Sequence, residues 1–137
     1  MQNPKIKKIK SPKIKKLTQT EHDLHIQCVQ WFEMQHKCAL LNHQANENPR
    51  GNKIQMICYN KKMKSLGTKA GFPDIQILYN EKVLFIELKS LTGKLTESQK
   101  ALFQQIESNG FPVHIIRTFE DFRTLVNDFT QKYRTKK

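Results

Sequence analysis

Between residues 18 and 37, Leu24, Cys28, Trp31 and Phe32 recur at i, i+4, i+7 and i+8, the stripe of a helix that lays one face on a core. Residues 39–45 suit a short strand, and Pro49 and Gly51 mark 46–52 as a loop. A second helix is predicted over 53–66, with Ile54, Ile57, Cys58 and Lys61 on one face and Gly67 where a left-handed C-cap belongs. Alternation then replaces the helical period. Residues 74–79 and 83–89 are β-type runs around Asn80-Glu81, a hairpin even though Asn-Glu is not a preferred two-residue turn. A helix follows over 96–109, opened by Thr96 and Gln99 at capping-box spacing and ended by Gly110. Val113 to Ile116 forms a last strand, and Phe119, Phe122, Leu125, Val126 and Phe129 mark a closing helix. The order α, β, α, β, β, α, β, α predicts an α/β fold with a mixed central sheet flanked by helices.

Charge divides the chain differently. The formal net charge is +12 over 137 residues, but seven lysines and no acid fall within residues 1–17, and Lys132, Arg134, Lys136 and Lys137 crowd the other end. The expected organisation is a basic disordered arm over 1–17, a nearly neutral domain over 18–130 and a basic tail over 131–137. Lysine-rich arms raise affinity for nucleic acid by releasing condensed counterions, without reading sequence. No apolar run approaches the roughly 18–20 residues of a membrane span, and the N-terminus lacks the apolar middle of a secretory signal. An intracellular protein with no membrane partner is expected. Cys28, Cys38 and Cys58 are odd in number and unpaired in spacing, which suits reduced thiols. His22-x-x-His25 with Cys28 invites a zinc reading, but no second ligand pair follows, and Cys28 fits the core stripe better.

The hairpin carries the chemistry. With the turn centred between Asn80 and Glu81, Asp74 stands opposite Glu87, and opposed β-carbons lie about 4.5–5.5 Å apart, a distance at which like charges destabilise a pair. A divalent cation would offset that repulsion, since hard ions such as Mg²⁺ or Mn²⁺ take carboxylate oxygens together with waters and substrate phosphates. Lys89 shares the face of Glu87, where an ammonium can orient an attacking water and balance charge on phosphorus. From Glu-x-Lys alone, an ordinary salt bridge remains open.

The surrounding text is more specific. Gly71-Phe72-Pro73-Asp74, followed thirteen positions after the Asp by Glu87-Leu88-Lys89, resembles the PD-(D/E)xK nuclease core. From Lys62-Met63-Lys64-Ser65-Leu66-Gly67-Thr68-Lys69 through that motif to Gly93-Lys94-Leu95-Thr96-Glu97-Ser98-Gln99, the chain resembles the VRR-NUC family of virus-type replication and repair nucleases, over roughly residues 18–120. The resemblance implies a restriction-endonuclease-like fold in which Asp74, Glu87, the backbone carbonyl of Leu88 and the helix carboxylate Glu21 bind Mg²⁺ or Mn²⁺. Lys89 would serve the nucleophilic water, and Gln99 would contact the site or the substrate backbone. Two of these residues also fit local roles: Thr18-x-x-Glu21 has capping-box spacing, and Gln99 belongs to the Thr96 cap.

Asn46-Glu47 can fill the place of an Asn that family members often present after the first strand, on a loose alignment. Lys61, Lys62, Lys64, Lys69 and Lys94 are candidate phosphate contacts, with a solvated charged face as the alternative. The function implied is metal-dependent endonucleolytic hydrolysis of DNA, selective for branched or junction structures in replication, repair or recombination, by a possible homodimer. The alternative is a non-catalytic basic accessory protein that binds nucleic acid on a nuclease fold.

Overall fold

A computed structural model describes residues 18–45 and 50–135. Eight elements follow the expected order: α1 (Glu21–Gln35), β1 (Leu40–His43), α2 (Lys53–Ser65), β2 (Ile75–Tyr79), β3 (Lys82–Leu88), α3 (Glu97–Ser108), β4 (Val113–Ile116) and α4 (Phe119–Lys132). The sheet runs β1-β2-β3-β4, antiparallel across the first two junctions and parallel between β3 and β4. The arm expected over 1–17, Asn46-Glu47 and the last two lysines lie outside the described residues.

One sheet face is apolar because its strands alternate. Ile75 and Ile77 of β2, Leu84, Ile86 and Leu88 of β3 and Ile116 of β4 form the core with Leu24, Cys28 and Phe32 of α1 and Phe122, Val126 and Phe129 of α4. Full burial of such side chains is worth about 1.5–3 kcal/mol each, so this layer sets the domain's rigidity. Cys28 is fully buried here as a core residue, its thiol pushed up to about 12 by desolvation. On the opposite face, Phe85 packs edge-on against Phe72 and Phe111.

The hairpin register matches the sequence expectation at every pair, from Tyr79↔Lys82 to Ile75↔Ile86. Asn80 and Glu81 form the two-residue loop with φ of +46° and +64°, the left-handed pair that a right-twisted hairpin favours. Asn80 Nδ2 donates to the Tyr133 carbonyl at 2.8 Å, tying the turn to the end of α4. Two helices depart from expectation. α1 starts at Glu21, because the reciprocal cap is Thr20 with Asp23, not Thr18 with Glu21. α2 forms with an Asn52–Gln55 box and Gly67 at φ +90°, yet buries no residue, so its Ile54 face packs on nothing described. No helix among the described residues is long and apolar enough to cross a membrane.

Glu81 carries a side chain in a region that costs an L-residue roughly 1–2 kcal/mol, which glycine avoids at the expense of chain entropy. Glu81→Gly is therefore expected to raise unfolding stability by up to about 1 kcal/mol. A urea midpoint that moves down, with an unchanged slope, would refute the turn assignment.

Candidate active site

The site lies at the end of the hairpin away from its turn. Chain entry there is fixed by local sterics. Gly71 has φ +80°, and a Cβ on it would stand 2.9 Å from the Gln99 nitrogen and 3.1 Å from the Ser98 carbonyl carbon, both backbone atoms of α3. Only glycine lets the loop cross the α3 N-terminus this closely. Pro73 is buried, and Asp74 stands one residue before the first β2 pair, as Glu87 stands one residue after its partner Ile86. Asp74 Oδ2 accepts the Leu88 N–H at 2.9 Å, and its carbonyl accepts the Gln44 N–H, also at 2.9 Å.

Glu87 is 1 % exposed, an exceptional place for a carboxylate. Its Oε1 accepts from Gln99 Nε2 at 2.5 Å and pairs with Lys89 Nζ at 3.0 Å. Its Oε2 is the one buried side-chain polar atom among the described residues with no hydrogen-bond partner. Burial pushes the Glu87 carboxyl up to about 7, the negative charge of Asp74 adds to that rise, and Lys89 opposes it. Gln99 serves two masters with one amide: Oε1 accepts the Thr96 N–H at 3.0 Å in the helix cap, while Nε2 reaches Glu87. The cap and the contact with Glu87 coexist in one side chain.

Glu21 is released from capping and turns to the other side of the same corner, where its Oε2 accepts the Ser90 N–H at 3.3 Å. Leu88 lies between Glu87 and Lys89 with its side chain in the core and its N–H on Asp74. Lys61, Lys62 and Lys64 sit exposed on α2, Lys69 on the loop leading to Asp74, and Lys94 on the loop before α3.

Sequence reasoning passed over two contributors. Arg117 Nη1 donates to the Ser90 carbonyl at 2.6 Å and the Gly93 carbonyl at 2.7 Å, clamping the loop that follows Lys89. Its place was readable in outline, since it directly follows β4, which pairs with the strand carrying Glu87. His43 Nδ1 lies 2.9 Å from the Asp74 carbonyl, so that nitrogen carries the proton, and the His25 ring rests edge-on against it at 4.4 Å. Burial and the neighbouring His43 lower the pKa of His25.

The donor set suits a hard cation. Glu87 offers a buried, unpartnered oxygen, and Asp74 spends only Oδ2 on the backbone. No three His, Cys, Asp or Glu side chains among the described residues converge as a ready cage, and Glu21 is engaged elsewhere. The arrangement therefore fits an ion held by few carboxylates, with waters and substrate phosphates completing its shell, the habit of Mg²⁺.

Two outcomes follow from this geometry. Gly71→Ala is expected to cost about 1–3 kcal/mol of stability, because both the positive φ and the backbone clash must be relieved; an unchanged denaturation midpoint would show that the loop does not bear on α3. Glu87 has a folded pKa of about 7 against an unfolded value of 4.5, so the native state binds more protons between those pH values. Its contribution to stability is full below pH 4.5 and is lost as pH rises through 7. His25 and His114, with lowered pKa, act in the opposite direction. In EDTA, Glu87→Gln is expected to gain stability over the parent on going from pH 5 to pH 8, as read by thermal melting of both proteins. A pH-independent difference would contradict the raised pKa.

Comparison with known proteins agrees with this architecture. A family model, the VRR-NUC domain, matches residues 9–120. A solved structure described as a VRR_NUC domain protein superposes with a TM-score of 0.64 at 18 % identity, covering 83 % of this chain and 90 % of its own, a likeness in fold. A search of curated proteins finds no match. With the family pattern spanning most of its length and the restriction-endonuclease-like sheet present, the chain belongs to the VRR-NUC family of the PD-(D/E)xK nuclease class.

Proposed function

We propose that the chain is a metal-dependent endonuclease that hydrolyses phosphodiester bonds in DNA. The observation that carries this reading is the unpartnered Oε2 of Glu87, buried beside an ammonium and opposite a second carboxylate across the hairpin. A core without ligand chemistry gains nothing from such an atom, because a buried acceptor without a partner costs about 1–3 kcal/mol.

Asp74, Glu87 and the Leu88 carbonyl would hold Mg²⁺ or Mn²⁺, and Glu21 would join them only by leaving the Ser90 N–H that it now accepts. When bound, the ion supplies Lewis-acid stabilisation of phosphate charge and lowers the pKa of water. The protein's own groups do the rest. Gln99 fixes the Glu87 carboxylate through Oε1, so that Oε2 points to the ligand. Lys89 neutralises Glu87 and orients the attacking water for in-line approach to phosphorus, and its charge offsets the negative charge that gathers there. Water gives up a proton to solvent as it forms the new P–O bond, the P–O bond to the leaving sugar breaks, and the leaving oxygen takes a proton from solvent. Lys69 and Lys94, on the loops before Asp74 and before α3, bind flanking phosphates.

Structure selectivity, with roles in replication, repair or recombination, belongs to this reading on the strength of the family. Symmetrical incision of a junction requires two copies, each bringing its own full set of residues. The accessory-protein reading draws on the Glu87–Lys89 ion pair, which closes the motif on itself.

A cleavage panel of single-stranded, duplex, flap and four-way-junction DNA with Mg²⁺, Mn²⁺ or EDTA decides between them. Asp74→Asn and Glu87→Gln are each expected to lower cleavage at least about a hundredfold while leaving DNA affinity within about threefold. Wild-type protein that cuts no DNA form with either ion would overturn the nuclease reading.

A further inference from the structure

The longest acid-free stretch of the folded region is also the one the core ignores. From Asn48 to Pro73 the chain carries Arg50, Lys53, Lys61, Lys62, Lys64 and Lys69 and no Asp or Glu. The domain around it is nearly neutral, so these six cations are concentrated by position. The C-terminal end of the segment runs into the site, since Asp74 follows Pro73, and His43, which closes β1, meets the Asp74 carbonyl. α2 is therefore joined to the carboxylate corner by the short connection over residues 66–73.

Its side chains do not fit a helix meant for water alone. Ile54 is 72 % exposed and Ile57 57 %, and they share a face with Cys58 and Lys61 by helical spacing. Met56 and Met63 lie on the opposite side and are half-buried. A helix apolar on both faces expects contact on both. Charge decides the occupant of the outer face. A second copy docked through it would bring two acid-free, sixfold cationic segments together with Lys61 at the centre of the contact, whereas a polyphosphate supplies the missing anions. The isoleucines gain nothing from phosphates or from the edge of a regular duplex. They gain from the faces of unstacked bases, against which aliphatic wedges insert in DNA that is already distorted.

We propose that α2 is the substrate-reading arm of this site: its lysines hold phosphates while Ile54 and Ile57 pack against unpaired bases at a branch or fork next to the scissile bond. The proposal rests on the nuclease reading for its location and on α2 itself for its chemistry.

The test is equilibrium binding in EDTA to a forked DNA carrying 2-aminopurine at the branch point, against a blunt duplex of equal length. Wild-type protein is expected to raise the 2-aminopurine fluorescence and to prefer the fork by about tenfold, the range that contact with an unstacked base supplies. Ile54→Ser/Ile57→Ser is expected to lose that preference and the fluorescence rise while keeping duplex affinity within about threefold, with an unchanged thermal melt because both residues are exposed. Replacing Lys61, Lys62 and Lys64 by Ala is expected to weaken both DNAs and to reduce the log–log salt slope by about 3. Retained fork preference in the isoleucine variant overturns the proposal. So does light scattering that finds a wild-type dimer which the same variant converts to monomer, since a second copy then covers the face. Fork preference lost in the variant while wild-type protein cuts nothing with Mg²⁺ or Mn²⁺ leaves the arm standing and removes only the nuclease reading.

Discussion

A carboxylate in the interior of a 137-residue protein is the constraint around which the rest is arranged. Transferring an ionised group out of water costs several kcal/mol after relaxation, and a buried ion pair is often no more stable than an apolar substitute of the same volume. Glu87 meets one half of that cost through Oε1, which takes both the Lys89 ammonium and the Gln99 amide, and leaves the other half standing at Oε2. The raised pKa expresses the same imbalance: the fold tolerates the acid best when it is neutral. Folding alone does not ask for this residue.

Several unrelated devices hold that corner in place. β3 delivers Glu87 and Lys89 from one strand end, the tight turn at Asn80-Glu81 brings Asp74 to the same end, and the β3–α3–β4 crossover returns the N-terminus of α3 and Arg117 to it. Parallel pairing between β3 and β4 matters here, because it puts the C-terminal ends of both strands on one side, where ligands of open α/β sheets gather. Gly71 then lets the entering loop lie on α3 without a gap. Each device would be ordinary alone. Their common address is what distinguishes the site from a surface salt bridge.

The sequence made the hairpin legible to the residue, since a period of two leaves no freedom once the turn is placed, and the apolar stripes of α1 and α4 announced the core. It gave Gln99 a cap and a site contact together, and the two ends of one amide make both contacts, to Thr96 and to Glu87. It misplaced the first cap: Thr18-x-x-Glu21 and Thr20-x-x-Asp23 satisfy the same rule, and only the true helix start at Glu21 frees that carboxylate to meet Ser90. His43 and Arg117 stayed hidden because both act on backbone carbonyls, which leave no mark in a pattern of side chains. The exposure of α2 was hidden for a different reason. A helix with apolar residues on two faces looks to periodicity like one with a packed stripe, and only the folded domain shows that one of those faces meets nothing.

The two sides of the sheet end by dividing the work. α1 and α4 close one face with aromatic and aliphatic side chains and no opening towards the carboxylates, which fixes the strands that carry them. The other face carries Phe85 packed against Phe72 and Phe111, and Asp74, Glu87 and Lys89 stand at the strand ends beside it. The cavities of about 530–920 Å³ lined by residues such as Cys38, Tyr79 and Arg134 lie by the hairpin turn, away from Asp74 and Glu87. A small substrate would need such an enclosed cleft around the reacting groups, because enclosure is how few contacts achieve affinity. A polymer does not, since contacts spread along its backbone supply affinity from outside the reacting centre.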